Sequence, residues 1–122
     1  EIAQIISYDN GDYDRSIGID NRSPSSEWGW TMFAGSQSVL GSAPLEAGKW
    51  VQLTAVYDQS KSEAALYVNG KAIAQSNEAI LGTGYDYLYI GGSPGFGEHF
   101  RGDIDDVRIY ERALSASEVS TL

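Results

Sequence analysis

The stretch G-D-I-D-D-V-R-I-Y-E-R-A-L-S-A-S-E-V, residues 102–119, carries most of the information about the fold. Three carboxylates, Asp103, Asp105 and Asp106, crowd around Ile104, and the chain then turns apolar. Residues 103–110 read as a last long strand, with Val107 and Ile109 on the parity of Asp105. Either Asp105 faces the core, or a bulge resets the alternation before Val107. Ser115 followed three residues later by Glu118 is a capping-box pattern, so a short helical turn is predicted to close the chain, packed down by Leu114 and Val119.

Working outward, the rest of the chain also reads as short strands between turns. In residues 63–76, E-A-A-L-Y-V-N-G-K-A-I-A-Q-S, Asn69-Gly70 is the favoured two-residue hairpin turn, because both positions need positive φ. This pairs Val68 with Lys71, Tyr67 with Ala72 and Leu66 with Ile73. In residues 50–58, Val51, Leu53, Ala55 and Tyr57 share the parity expected to face the core. Residues 85–92 read as another strand. Residues 28–35 alternate, with Trp28, Trp30 and Met32 on one face. Residues 1–8 form an extended Ile-rich run that ends at the turn D-N-G-D-Y-D, whose Asp9, Asp12 and Asp14 read as solvated turn acids.

Composition agrees with an all-β chain. The 122 residues include 14 Gly and 8 Tyr, which suit turns and half-buried pleated surfaces. The length indicates one domain over residues 1–122, able to hold a core without staples. There are no cysteines, so disulfides play no part. A net charge of −9, from 17 acids against 8 Lys and Arg, disfavours nucleic acid and anionic membranes as partners and leaves cations and neutral ligands such as sugars open. No apolar run approaches the roughly 20 residues that cross a bilayer. The predicted fold is an antiparallel β-sandwich of jelly-roll type with one short C-terminal helical turn.

The order of G-K-W-V-Q-L-T-A-V-Y-D, A-A-L-Y-V-N-G-K-A-I-A, L-Y-I-G-G and the closing stretch resembles the laminin-G-like, concanavalin-A-like jelly-roll modules of bacteria, with the pentraxins in the same broad superfamily. The resemblance implies a non-catalytic binding module of a larger extracellular or cell-surface protein, with a glycan as ligand and calcium ions near the last strand. Asp105 and Asp106 are the matching metal positions. A structural role for Asp105, bonded to backbone N–H groups or paired with Arg101 or Arg108, is the other reading. The resemblance also puts Trp50 in the core. It implies a further strand ahead of residues 1–8, leaving an open edge there for an upstream segment or a second chain to pair with.

Trp28 and Trp30 are candidates for a sugar-stacking platform, and as strand residues equally candidates for core. His99, the lone histidine, is at most a rim contact of such a site. No G-x-S-x-G is present for a nucleophilic serine, and too few His and no Cys are present for zinc. The Glu-x-Asp-x-x-Glu pattern of related glycanases is absent, which disfavours hydrolysis. Protein adhesion or an architectural spacer is the alternative function.

Overall fold

The computed structural model describes residues 1–35, 38–79, 82 and 86–122. Two sheets form the body. The larger joins β1 (Ala3–Tyr8), β2 (Arg15–Asp20), β3 (Gly29–Phe33) and β4 (Val39–Ala43) to three short strands, β8 (Tyr89–Ile90), β9 (Gly92–Ser93) and β10 (Glu98–His99). Its order is β4-β3-β2-β1-β10-β9, with β8 also paired to β1. The smaller is an antiparallel meander of β5 (Leu53–Asp58), β6 (Glu63–Val68) and β7 (Lys71–Ser76). One helical turn, α1 (Ala116–Ser120), follows. The predicted all-β sandwich with a C-terminal helical turn is therefore what the chain forms.

The core lies where the two sheets meet. Met32 of β3 and Leu66 of β6 are fully buried and share a cluster with Ala34, Ala64 and Ala79, against which Ala55 and Tyr57 of β5 pack. This is the face that the alternation of β5 predicts. Tyr57 also joins the layers, donating its hydroxyl to the Phe33 carbonyl at 2.8 Å. Burial pushes its phenol above the ordinary tyrosine range, so it remains a donor. On the other face of β6, Tyr67 packs with Leu114 and Val119 and holds α1 in place.

The hairpin turn forms as the sequence predicts, with φ of 51° at Asn69 and 77° at Gly70. Its register departs from expectation one step on. Val68 meets Lys71 and Tyr67 meets Ala72, but Leu66 meets Ala74. A bulge takes up Ile73, which is exposed instead of joining the face of Leu66.

The capping box at α1 is complete. The Ser115 hydroxyl accepts the Glu118 N–H at 3.2 Å, and Glu118 accepts the Ser115 N–H at 2.8 Å. Arg112 grips the same carboxylate at 2.8 and 3.0 Å. The Arg112 guanidinium, and then the Ser115 N–H, hold Glu118 well below its ordinary 4.5, at about 2. A carboxyl whose folded value is depressed stabilises the fold above its unfolded value, and that contribution fades as pH falls towards the folded one. Glu118→Gln is therefore expected to flatten the loss of stability between pH 4.5 and 2. Urea midpoints measured across that range check this.

Five further expectations are corrected. Residues 1–8 are not an edge: β2 lies on one side of β1, while β8 and β10 lie on the other. Residues 103–110 enter no sheet, and the alternation breaks at Asp106, whose φ is 54°. The strand read over residues 85–92 is limited to β8 and the start of β9, and Tyr85 lies outside the described residues. Asp14 is buried, not solvated, and accepts the N–H of Gly82. Trp50, expected in the core, is 71% exposed.

Candidate functional site

Two regions of the structure concentrate chemistry. The first is the outer face of the large sheet, where polar side chains are buried. Ser16 of β2 donates to Gln4 Oε1 of β1, and Gln4 Nε2 donates to Glu98 of β10 at 3.1 Å. Arg22, just after β2, donates to Asp20 through Nε at 2.9 Å and Nη2 at 2.5 Å, and to Glu98 at 3.3 Å. Its guanidinium lies 4.7 Å from the ring centre of Tyr13 and 5.6 Å from that of Phe33, two rings stacked at 4.9 Å. Asp20 is fully buried, and its hydrogen bonds hold Arg22 above the ordinary guanidinium range.

Alternation explains the placement. In β2, Ser16, Gly18 and Asp20 take the outer face while Ile17 and Ile19 take the inner one. Gly18 is required here, because a Cβ would stand 2.3 Å from the Ala3 carbonyl oxygen of the adjacent strand. The sequence does not mark this network. The only local signal is the acid-base pair Asp20 and Arg22, two residues apart at a strand end; Glu98, 76 residues from Arg22, gives none.

The second region is a cleft of about 1380 Å³ between the layers, bounded by the inner face of the large sheet, by β5 and by residues 103–110. Trp30 and Phe100 stand on its wall with ring centres 6.4 Å apart.

The sequence-predicted residues are not gathered in one place. Trp30 is half-buried on β3, facing the cleft. Trp28 precedes β3 on the loop 21–28 and is 46% exposed. His99 sits on β10, exposed, opposite Gln4 and Gly92. Between β3 and β10 lie β2 and β1, which sets Trp30 and His99 about 14 Å apart at ordinary strand spacing. They could not share one sugar ring, although a chain of several rings could span them.

Asp105 and Asp106 are exposed. Asp105 accepts the Asp106 N–H at 2.8 Å, and Asp106 binds Arg108 through 3.1 and 3.0 Å contacts. Arg108 is thereby held above its ordinary range. Calcium takes six to eight oxygens. As they stand, two carboxylates, one engaged by an arginine, do not make such a shell. Among the described residues no group of three or more His, Cys, Asp or Glu is placed to hold a metal.

No helix among the described residues is long and apolar enough to cross a membrane. No curated protein matches the sequence. Among solved structures, the chain resembles residues 221–444 of an S-layer domain-containing protein from Clostridium thermocellum, at 23% identity and a TM-score of 0.52. The match covers 99% of this chain and 63% of that one, so the chain spans less than two thirds of its neighbour. A family model described as the concanavalin A-like lectin/glucanases superfamily matches residues 1–120. With its two stacked sheets and that match over almost its whole length, the chain belongs to this laminin-G-type family of the concanavalin A-like superfamily.

Proposed function

We propose that the chain is a non-catalytic, carbohydrate-binding module of a larger extracellular or cell-surface protein. The observation that carries this reading is Trp28. Its loop is tied down by hydrogen bonds from Ser26 N–H to the Ser23 carbonyl, Glu27 N–H to Ser25, and Ser42 to the Glu27 carbonyl. Leaving a large apolar side chain in water forgoes about 1.5–3 kcal/mol of burial. A ring held out on a fastened loop is a ready face for the C–H groups of a pyranose, with polar neighbours for its hydroxyls. The family of the chain and the S-layer name of its structural neighbour support the lectin-like, cell-surface setting.

The acid geometry supports binding without cleavage. Glycosidases of the retaining kind hold two carboxyls about 5–5.5 Å apart across the scissile bond. Asp20 and Glu98 do converge on the outer face, but on one nitrogen of Arg22, which fills the space between them.

Calorimetric titration with neutral oligosaccharides tests the reading. Trp28→Ala is expected to weaken binding about 3- to 10-fold, the range of an aromatic stacking contact. Equal affinity in both proteins would remove Trp28 from the site, and no binding of any neutral glycan would remove the function. Calcium is tested by a melt with the ion and then with chelator. Given the two-carboxylate geometry, the melting temperature is expected to stay unchanged. A rise of several degrees, the effect of a ligand at about 100 times its Kd, would mean that Arg108 yields Asp106 and that further oxygens join it.

A further inference from the structure

Two of the chain's four asparagines, Asn10 and Asn69, stand directly before a glycine. That pair is the one most open to cyclisation, because no side chain on the glycine hinders its nitrogen from reaching the asparagine amide carbon. The two pairs sit in opposite settings. Asn69 is held on both sides of its own residue: its Oδ1 accepts the Gln52 N–H at 2.9 Å, and its N–H donates to the Gln52 carbonyl at 2.8 Å. Gly70 is closed in between the paired residues Val68 and Lys71, and a Cβ there would stand 3.4 Å from Ser120 Cα of α1. Asn10 is exposed on the loop between β1 and β2, and among the described residues nothing is hydrogen-bonded to its side chain. The nitrogen that would attack it already faces a base. Gly11 donates its N–H to Asp9 Oδ1 at 3.2 Å, within the reach of about 2.6–3.2 Å that a general base needs.

We propose that Asn10 is a site of spontaneous deamidation, assisted by Asp9, and that Gln52 guards Asn69 against the same reaction. The Gly11 nitrogen gives its proton towards the Asp9 carboxylate and bonds to Asn10 Cγ. The Cγ–Nδ2 bond breaks, and Nδ2 takes up a proton and leaves as ammonia. Water then opens the succinimide ring at either of its two carbonyls, which yields aspartate or isoaspartate at position 10. Nothing is oxidised or reduced, and water is the one co-reactant. Asn69 cannot start on this path without releasing the Gln52 N–H.

The modification has a route to the polar face of the large sheet. Either product adds one negative charge to the −9 of the chain, between Asp9 and Asp12. Isoaspartate also lengthens the backbone by one carbon inside a loop that is pinned at two places. Asp14 donates its N–H to Asp9 Oδ1 at 3.0 Å, and Gly35 donates its own to the Tyr13 carbonyl at 2.7 Å. Tyr13 in turn accepts Arg22 Nη1 on its hydroxyl at 3.0 Å and carries the Arg22 guanidinium on its ring. The loop that changes is therefore the one that supports Arg22.

Peptide mass spectrometry of the folded chain, aged at neutral pH, tests the proposal. Cleavage after arginine and lysine places Asn10 in residues 1–15 and Asn69 in residues 62–71, so the two are read separately. A sample aged in concentrated urea gives the ratio of their rates without structure. Relative to that ratio, Asn10 is expected to gain about 10-fold or more over Asn69 in the folded chain, the effect of one guarding hydrogen bond. An unchanged ratio, or a folded chain in which Asn10 stays intact while the urea sample deamidates, would overturn the site. Asp9→Asn keeps an oxygen acceptor for the Gly11 and Asp14 N–H groups but is no base. It is expected to slow the reaction at Asn10 about 3- to 10-fold, a fraction of what a fully positioned base supplies. The rate at Asn69 in the same sample reports whether that variant is still folded. Undiminished deamidation of Asn10 in folded Asp9→Asn would overturn the part given to Asp9.

Discussion

Leu66→Ala is expected to destabilise the chain by about 3 kcal/mol. Leu66 is fully buried in the middle of β6, in the cluster shared by the two sheets. Its neighbours in the cluster are Met32 and three alanines, and alanines have no side-chain length with which to close a hole. Leu66 also fills the space over Gly41, where a Cβ would stand 2.7 Å from Leu66 Cδ2. Truncation therefore removes the apolar burial and leaves most of the cavity open. The signature is a lower urea midpoint with an unchanged slope. A loss below about 1 kcal/mol would mean that the layers collapse into the hole, and that the contact between them is softer than described.

Asp20→Ala is expected to cost about 2–3 kcal/mol. Breaking a buried ion pair by removing one partner costs about 3–5 kcal/mol, because the other charge is left without its counterion. Here Arg22 is 30% exposed at its side chain and can recover some water, which moves the expectation down. Glu98 remains as a second acceptor at 3.3 Å. A double-mutant cycle isolates the pair. Once Asp20 is gone, Arg22→Met should cost much less than it does in the parent, because its main partner is already lost. An effect of Asp20→Ala below about 0.5 kcal/mol, the size of an exposed pair, would show that the network is solvated in solution.

Local signals were legible in the sequence and distant ones were not. Asn69-Gly70 and Ser115 with Glu118 act through their own backbones within four residues, and both motifs form as the residues indicate. The parity of Ala55 and Tyr57 likewise fixes which face of β5 meets the core. Residues 103–110 show the limit. Their pattern is that of a strand, but a strand exists only with a partner, and no partner is written into the pattern. The exposure of Trp50 has the same origin, since it lies at the lip of the cleft that those residues border. Ile73 left the expected face because a bulge costs one residue of register, and alternation alone does not locate bulges.

Of the candidate site residues, Trp28 and His99 are exposed, while Trp30 is half-buried on the wall of the cleft. The Asp20, Arg22 and Glu98 cluster is not legible in the sequence because β10 reaches β1 only through long-range pairing. That pairing brings together residues that nothing in the sequence order associates.

The central claim, that the chain binds glycan and does not cut it, is met most directly by one nuclear magnetic resonance titration with neutral oligosaccharides. The three tryptophans give three indole N–H signals, and the sugar gives its own anomeric signals. The Trp28 indole is expected to shift in a saturable way while the anomeric signals keep their number and intensity over hours. Three unmoved indoles at millimolar sugar, or new reducing-end signals growing with time, would contradict it.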